Sequence, residues 1–451
     1  MLKRKIWDEL AKWKNSPTKK ALMVTGARQI GKTTLVRHFG NTQYGCFAEL
    51  NFLEDEQAKL IFEGPLDADR LISSLTAYLK KPLVPGDTLI LLDEIQECPR
   101  ARTAIKFLVE DGRFDYMETG SLLGVKTKDV ASYPVGFEHY LRMYPLDFEE
   151  FCIANGVQKS TLALLRKRFD EKVPVEDSIH DSMMRLFYVY LVVGGMPEVV
   201  QRYIETHDIA QVVQLQESLL ASYRLDIAKY AGSQEKVKIR SIFDAIPSQL
   251  DDKNRRFVVA DLGKEARYRR YESSFLWLAD ARVALPCYNV AEPKVPLAAN
   301  EKYSLFRLFM SDCGLLSASF LGNSQLNLLN GNLEANMGAV MENVVAQELK
   351  AHGFSLCYFN SKKLGEVDFV IQRGNKVVPI EVKSGNDWAK HKALDNVLGV
   401  GEWDISESYV VCKGNVKRSG SVTYIPLYTI MFIQQEKLPK QLIYEPNLSV
   451  L

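Results

Sequence analysis

Apolar and polar positions along the chain fall into blocks with different periods. The run ALMVT (21–25) is short, apolar and partly β-branched; it meets the polar, glycine-bounded GARQIGKTT, after which LVRHFG resumes with helical spacing. Strand, loop and helix are predicted there. TLILLDEIQE (88–97) predicts a second strand that stays apolar until it ends in acids, and Phe114–Glu118 a third. Between 152 and about 232 apolar residues recur every three or four positions, as in LFYVYLVV and VVQLQESLLASY, which predicts helices. From 233 to 325 the order is helix (VKIRSIFDAI), helix, helix (Glu265–Ala279), then VALPCYNV and YSLFRLFM as a strand pair. After a linker of low periodicity, Gly322–Asn332, comes the helix GAVMENVVAQELKAHG. FSLCYFNS follows, then GEVDFVIQRGNKVVPIEVKSG, two strands joined by a turn at Arg373–Asn375. The opening MLKRKIWDELAKWK predicts an amphipathic helix; it lacks the apolar middle and small-residue cleavage site of a signal peptide.

These blocks predict an α/β protein in four parts: a P-loop NTPase core with its N-terminal helix (1–151), a helical lid (152–232), a winged-helix middle domain (233–325) and a restriction-endonuclease-like α/β C-terminal domain (333–451). At 451 residues, 47% hydrophobic and 25% charged, the composition is that of folded globular domains. No apolar run approaches the roughly 20 residues of a membrane span, so no membrane partner is expected. Seven cysteines without a CxxC pair, and six histidines, suggest neither a disulfide framework nor a zinc site, and a reducing cytoplasm is the expected location. The net charge of +1 argues against nucleic-acid binding through bulk charge and leaves local basic patches open.

The loop matches GxxxxGK[ST] in full, with Gly26, Gly31, Lys32 and Thr33. Glycines permit the tight path that aims backbone amides at phosphates, and the following helix adds its positive end. Gly26, Ala27, Arg28, Gln29, Ile30, Gly31, Lys32, Thr33 and Thr34 are therefore the expected nucleotide contacts. Lys32 would balance the β and γ phosphates, and the Thr33 hydroxyl would ligate Mg2+. Asp93 resembles the metal-holding acid of a Walker B strand, and Glu94, one residue on, is placed to polarise the attacking water. Thr119 or Ser121, after the third strand, reads either as a sensor of the γ phosphate or as an ordinary hydroxyl-rich turn. Since no [NT]KxD element occurs, ATP is the expected nucleotide.

Taken with PVGFEHYLRMYPLDFEEF (134–151), YLVVGGMPEVV (190–200), IPSQL (246–250) and FRLFMSDCGLL (306–316), these motifs resemble, nearly end to end, a bacterial and archaeal group of AAA-type ATPases with a C-terminal domain of unknown function. In related clades a Gly-x-Pro element packs near the adenine. The resemblance implies that role for Gly195–Pro197, with Pro197 at the base; a plain break between helices is the other reading. Relatives with the YPLxFxEF pattern carry an arginine just after the glycine that opens it, whereas Phe137 follows Gly136 here. An arginine finger between subunits of a homo-oligomer is thus not assigned by position, and Arg100, Arg102 and Arg142 are either substitutes for it or solvated surface residues.

Two further clusters concern DNA. Arg267, Arg269 and Arg270 begin a helix, and Lys253, Arg255 and Arg256 precede it; they could meet phosphates or form a solvated face. Farther on, Asp368 on one strand and Glu381-x-Lys383 on the next, after a helix bearing Glu342, form the pattern of the PD-(D/E)xK nuclease superfamily. Asp368 and Glu381 would bind Mg2+ with Glu342 in support, and Lys383 would orient the attacking water. Glu366 is an extra ligand or a surface residue. Such a module either cuts DNA or serves as a docking platform, in an ATPase that acts on DNA or in a regulatory switch that recruits a partner.

Overall fold

The computed structural model describes residues 1–120, 134–230, 233–252, 255–321, 329, 337–385, 387–436 and 443–446. Its first sheet is parallel, in the order β2-β3-β4-β1-β5, formed by β1 (Ala21–Thr25), β2 (Cys46–Asn51), β3 (Thr88–Asp93), β4 (Asp115–Gly120) and β5 (Glu138–Arg142). β3 is buried along its whole length, which is why it reads as an unbroken apolar run instead of an alternating one. Around this sheet lie α1 (Ile6–Lys14), α2 (Lys32–Gln43), α3 (Glu56–Leu60), α4 (Ala68–Leu79) and α5 (Pro99–Asp111).

The helical region comprises α6 (Phe148–Ala154), α7 (Lys159–Glu171), α8 (Asp177–Val193), α9 (Pro197–Thr206) and α10 (Ile209–Tyr230), followed by α11 (Ser233–Asp251) and α12 (Tyr268–Asp280). Asp147 starts α6 with a capping box: its carboxylate accepts from the Glu150 amide, and Glu150 accepts from the Asp147 amide. Pro197 opens α9 at the first turn, where its missing N–H costs nothing.

The second sheet is mixed and has eight strands in the order β12-β13-β11-β10-β9-β8-β6-β7. They are β6 (Ala284–Val290), β7 (Glu301–Met310), β8 (Cys357–Ser361), β9 (Gly365–Arg373), β10 (Lys376–Val382), β11 (Ser408–Cys412), β12 (Lys417–Ser419) and β13 (Val422–Pro426). Here the structure differs from the four-part plan. The β6–β7 hairpin expected to be the wing of a winged helix is the continuation of the C-terminal sheet, because β6 pairs in parallel with β8 through Tyr288–Val290 and Cys357–Phe359. The line drawn near residue 325 therefore crosses a single sheet.

Packed on the second sheet and against α8, α11 and α13 (Cys313–Leu321) is α14 (Met337–Ala351); α15 (Lys392–Leu398) lies farther along. From Ala339 to Leu349 every residue of α14 is buried, including Glu342, Asn343, Gln347 and Glu348. Each of these side chains has at least one partner on a distant segment, although Glu348 Oε2 is buried without a hydrogen bond. Asn343 brackets the backbone of Met310 through both its amide atoms, Gln347 accepts from the Cys313 amide, and Glu348 accepts from the Phe148 amide at 2.8 Å. One apolar cluster consequently extends from Leu10 to Ile433.

Candidate functional site

The loop between β1 and α2 takes its shape from backbone conformations that side chains resist. Gly26 has φ +154 and Gly31 φ +85. A Cβ on Gly26 would fall 2.3 Å from the carbonyl oxygen of Met143, so the loop and the strand end of β5 close on each other only with glycine there. Gln29 is also left-handed, at φ +61. Lys32, 8% exposed, donates to the carbonyls of Gly26 (3.1 Å) and Ala27 (2.7 Å). Its burial, only partly offset by Glu94 and Asp93, pushes the ammonium pKa down from 10.5 to about 8.

Sheet order brings the strand ends together. Asp93, at the C-terminal end of β3, accepts from the Thr33 hydroxyl at 2.9 Å and from the Thr119 hydroxyl at the end of β4. Asn51, paired opposite Asp93 at the end of β2, donates to its other oxygen at 3.2 Å. No spacing rule in the sequence would find Asn51. Glu94 leaves the strand in the left-handed region, φ +52, and accepts from the Gln96 side chain. A glutamate so held costs about 1 kcal/mol, strain of the kind that functional sites retain. Ser121 and Lys253 lie outside the described residues, as does almost all of the Gly322–Asn332 linker.

Arg28 pairs with Asp226 of α10 at 2.5 Å, and Tyr223 donates to the Arg28 carbonyl. A pocket of ≈ 380 Å³ lies against the loop, lined by Gln29, Ile30, Gly31, Thr34, Met143 and Pro197 together with Leu2 and Arg4. Arg4, which sequence spacing does not connect to the loop, donates to the carbonyls of Ile30 and Tyr144 and pairs with Glu150 at 3.1 Å. Of the three arginines that could replace a finger, Arg102 is buried and bonded to Tyr140 and Glu138, and Arg100 donates to the carbonyls of Phe62 and Gly64. Arg142 stands exposed at the end of β5.

Gly195 joins this site to the rest of the chain. Its carbonyl accepts from the Leu146 amide, its amide donates to Asp312 at 2.6 Å, and a Cβ would sit 2.1 Å from the Leu146 carbonyl oxygen. Gly195→Ala is expected to destabilise the chain by about 1–3 kcal/mol, the usual cost of overpacking against an immovable backbone. Urea unfolding checks this, and an unchanged midpoint would contradict it.

The second constellation also assembles. The β9–β10 ladder stops at Phe369–Ile380, and beyond it Asp368 accepts from the Val382 amide at 2.8 Å, opening a fork between the strands. Glu381 lies in that fork, accepting from Lys383 at 2.7 Å, and Glu342 faces it from α14. Burial and the neighbouring Asp368 push Glu381 up to about 7. A hard cation needs several oxygens converging on one point. Here Glu342 is held by Arg255 and Arg307, and Arg307 also reaches Glu366 and Asp368. Among the described residues no three His, Cys, Asp or Glu side chains are arranged to hold a metal. Where magnesium was expected, Glu342, Glu366 and Asp368 are paired with arginines, while one buried oxygen of Glu381, Oε2, has no hydrogen-bond partner.

A parallel sheet ordered around β1, with a phosphate-loop glycine path before α2 and an acid at the end of β3, defines a P-loop nucleotide-binding fold. Residues 18–152 match the family model described as an AAA domain, and this segment is an AAA-type P-loop ATPase domain. Residues 184–327 and 337–430 match two families described as domains of unknown function. No curated protein matches the chain in sequence. Among solved structures, similar chains include the Aeropyrum pernix Orc1 protein in complex with DNA, at 12% identity and TM-score 0.28, covering 77% of this chain and 92% of that one. A point variant of Thermotoga maritima RuvB matches at 13% identity and TM-score 0.30, over 65% and 89% of the two chains. Cdc6p from Pyrobaculum aerophilum matches at 12% identity and TM-score 0.22, over 72% and 92%. These likenesses are distant in both sequence and shape. Among the described residues no helix is long and apolar enough to cross a membrane.

Proposed function

We propose that this chain binds and hydrolyses ATP at the P-loop and uses the nucleotide cycle to control a DNA-docking surface. The observation that carries the first half is the meeting of Thr33, Thr119 and Asn51 on the single carboxylate of Asp93, directly beside the Lys32 ammonium. The Thr33 hydroxyl and the Asp93 carboxylate are hard oxygen donors and fit Mg2+, which would neutralise charge on the β and γ phosphates. Backbone amides of Gly26–Thr34 cradle the phosphates, and Pro197 covers the base in the pocket beside Gly31. Glu94 takes the proton of the attacking water, and Thr119 reports the γ phosphate. In a homo-oligomer, Arg142 is the arginine that would reach a neighbour's nucleotide.

The second half rests on exposure. Arg256, Lys264, Arg267, Arg269 and Arg270 are all solvent-exposed around the start of α12, forming a basic patch of the kind that tracks phosphates. α11 and α12 flank this patch, while the β6–β7 hairpin belongs to the second sheet and forms no wing beside it. The buried contacts of α14 with Phe148 and Tyr190 give the core a route to this surface. The pairing of the C-terminal acids with arginines favours docking over cutting.

Fluorescence anisotropy with linear, nicked and branched duplexes, with and without ATP and magnesium, tests the proposal alongside hydrolysis assays. Changing Arg267 and Arg269 together to glutamate is expected to weaken DNA binding at least ~10-fold and to lower the slope of log affinity against log salt by about 2. Absence of both DNA binding and DNA-stimulated hydrolysis in the unmodified protein would sink the DNA half while leaving the ATPase half standing.

A further inference from the structure

The acidic cluster in the second sheet contains its own cation. Arg307 is fully buried on β7, and its side chain extends across β6 and β8 with the guanidinium 4.7 Å from the Tyr358 ring centroid. One end of the guanidinium lies 3.1 Å from Glu342 and 3.6 Å from Asp368, and the other bonds Glu366. Asn360 also donates to Glu366. Arg255 enters from the segment after α11 in a left-handed conformation, φ +46. It pairs with Glu342 beside Gly338, where a Cβ would lie 2.4 Å from its Nη2.

We propose that the guanidinium of Arg307 stands in the place that a nuclease of this strand pattern gives to its metal, making the C-terminal module a non-cleaving platform in which the acids fasten the middle segment to the sheet. The chemistry differs at each point that matters for cleavage. A guanidinium offers planar, fixed N–H donors that match carboxylates, whereas Mg2+ needs oxygen ligands in an octahedron and keeps several waters. Asp368 directs one oxygen to the Val382 amide, and its other oxygen lies 3.6 Å from Arg307, so the positive charge nearest this carboxylate is the chain's own guanidinium. A divalent ion in the fork would also meet the positive charges of Arg307 and Arg255 at close range. A fixed guanidinium can neither generate a hydroxide nucleophile nor exchange ligands with a scissile phosphate. Its built-in role is to tie β7, β9 and α14 together, with Arg255 as a second tie from the α11 side.

The test uses the full chain carrying Asp93→Asn, which disables the metal position of the P-loop, with neither nucleotide nor DNA present. The result is therefore independent of the ATPase and DNA readings above. Titration with Mn2+, followed by electron paramagnetic resonance of the free ion, is expected to show no bound ion in this parent. Adding Arg307→Ala should create a Mn2+ site, visible also as a rise in thermal midpoint with Mn2+ that the parent lacks, and further adding Asp368→Asn should remove it. Mn2+ held by the parent and released on adding Asp368→Asn overturns the proposal. If Arg307→Ala does not fold, the parent titration decides alone. Plasmid nicking by the otherwise unmodified protein in Mg2+ or Mn2+, abolished by Asp368→Asn, would overturn it equally.

Discussion

Glu94→Gln is expected to leave ATP binding intact while slowing hydrolysis by about 10²–10⁴-fold, the range that loss of a positioned general base produces. The expectation follows from where the carboxylate stands. Asp93 is committed to Thr33, Thr119 and Asn51, so it is occupied as a ligand and anchor. Glu94 follows it in a left-handed conformation that turns the chain off the strand direction, with one oxygen accepting from Gln96. Glutamine keeps the length, the backbone preference and the capacity to accept that bond, and loses only the ability to take a proton. Fluorescent-nucleotide binding and single-turnover hydrolysis separate the two effects. Turnover equal to the unmodified protein, or loss of binding with loss of turnover, would refute the role assigned to Glu94.

How much of this was legible beforehand depends on whether a feature is local in sequence. A phosphate loop works through consecutive backbone amides, so Gly26 to Thr34 must appear as one string, and it does. β3 with its terminal acid is equally local, and the three strands predicted around the site occur as β1, β3 and β4. Asn51 and Arg4 are different: each reaches the site because of a sheet neighbour or an N-terminal packing contact, and neither leaves a periodic trace. α14 shows the same limit. Glu342 was visible as an acid on a helix, but nothing in the string distinguishes an exposed polar stripe from one buried on every side and matched to Met310, Cys313 and Phe148.

The C-terminal acids make the point most sharply. Asp368, Glu381 and Lys383 are near neighbours whose alternation on two strands is readable, and they do gather at one fork. What decides their chemistry is Arg307, on a strand separated from β9 by two others, and Arg255, more than a hundred residues before Asp368. The expected wing had the same fate. A hairpin with a free outer edge and a hairpin whose edge is taken by β8 have the same alternation, so its place was settled by pairing.

Lys32→Ala carries the second large effect, and its direction differs between activity and stability. Loss of a charge aimed at the β and γ phosphates is expected to lower turnover by about 10²–10³-fold. Stability should move the other way. The folded chain holds the Lys32 proton less tightly than the unfolded chain, with pKa about 8 against 10.5. The buried ammonium therefore reduces stability as pH falls from 10.5, and does so in full below about 8, by on the order of 3 kcal/mol. Removing it should leave the nucleotide-free protein at least as stable at pH 7, an outcome that a merely structural lysine would not give. The same pKa predicts a proton signature. With the pKa lowered to about 8, part of the Lys32 population is neutral in mildly alkaline buffer, and phosphates arriving beside it restore the charged form, so at pH 8.5 ATP binding should take up protons from the buffer. Calorimetry in buffers of differing ionisation heat measures that uptake. It should vanish in Lys32→Met, and binding by the unmodified protein with no proton uptake at this pH would rule out a buried, partly neutral lysine at the P-loop.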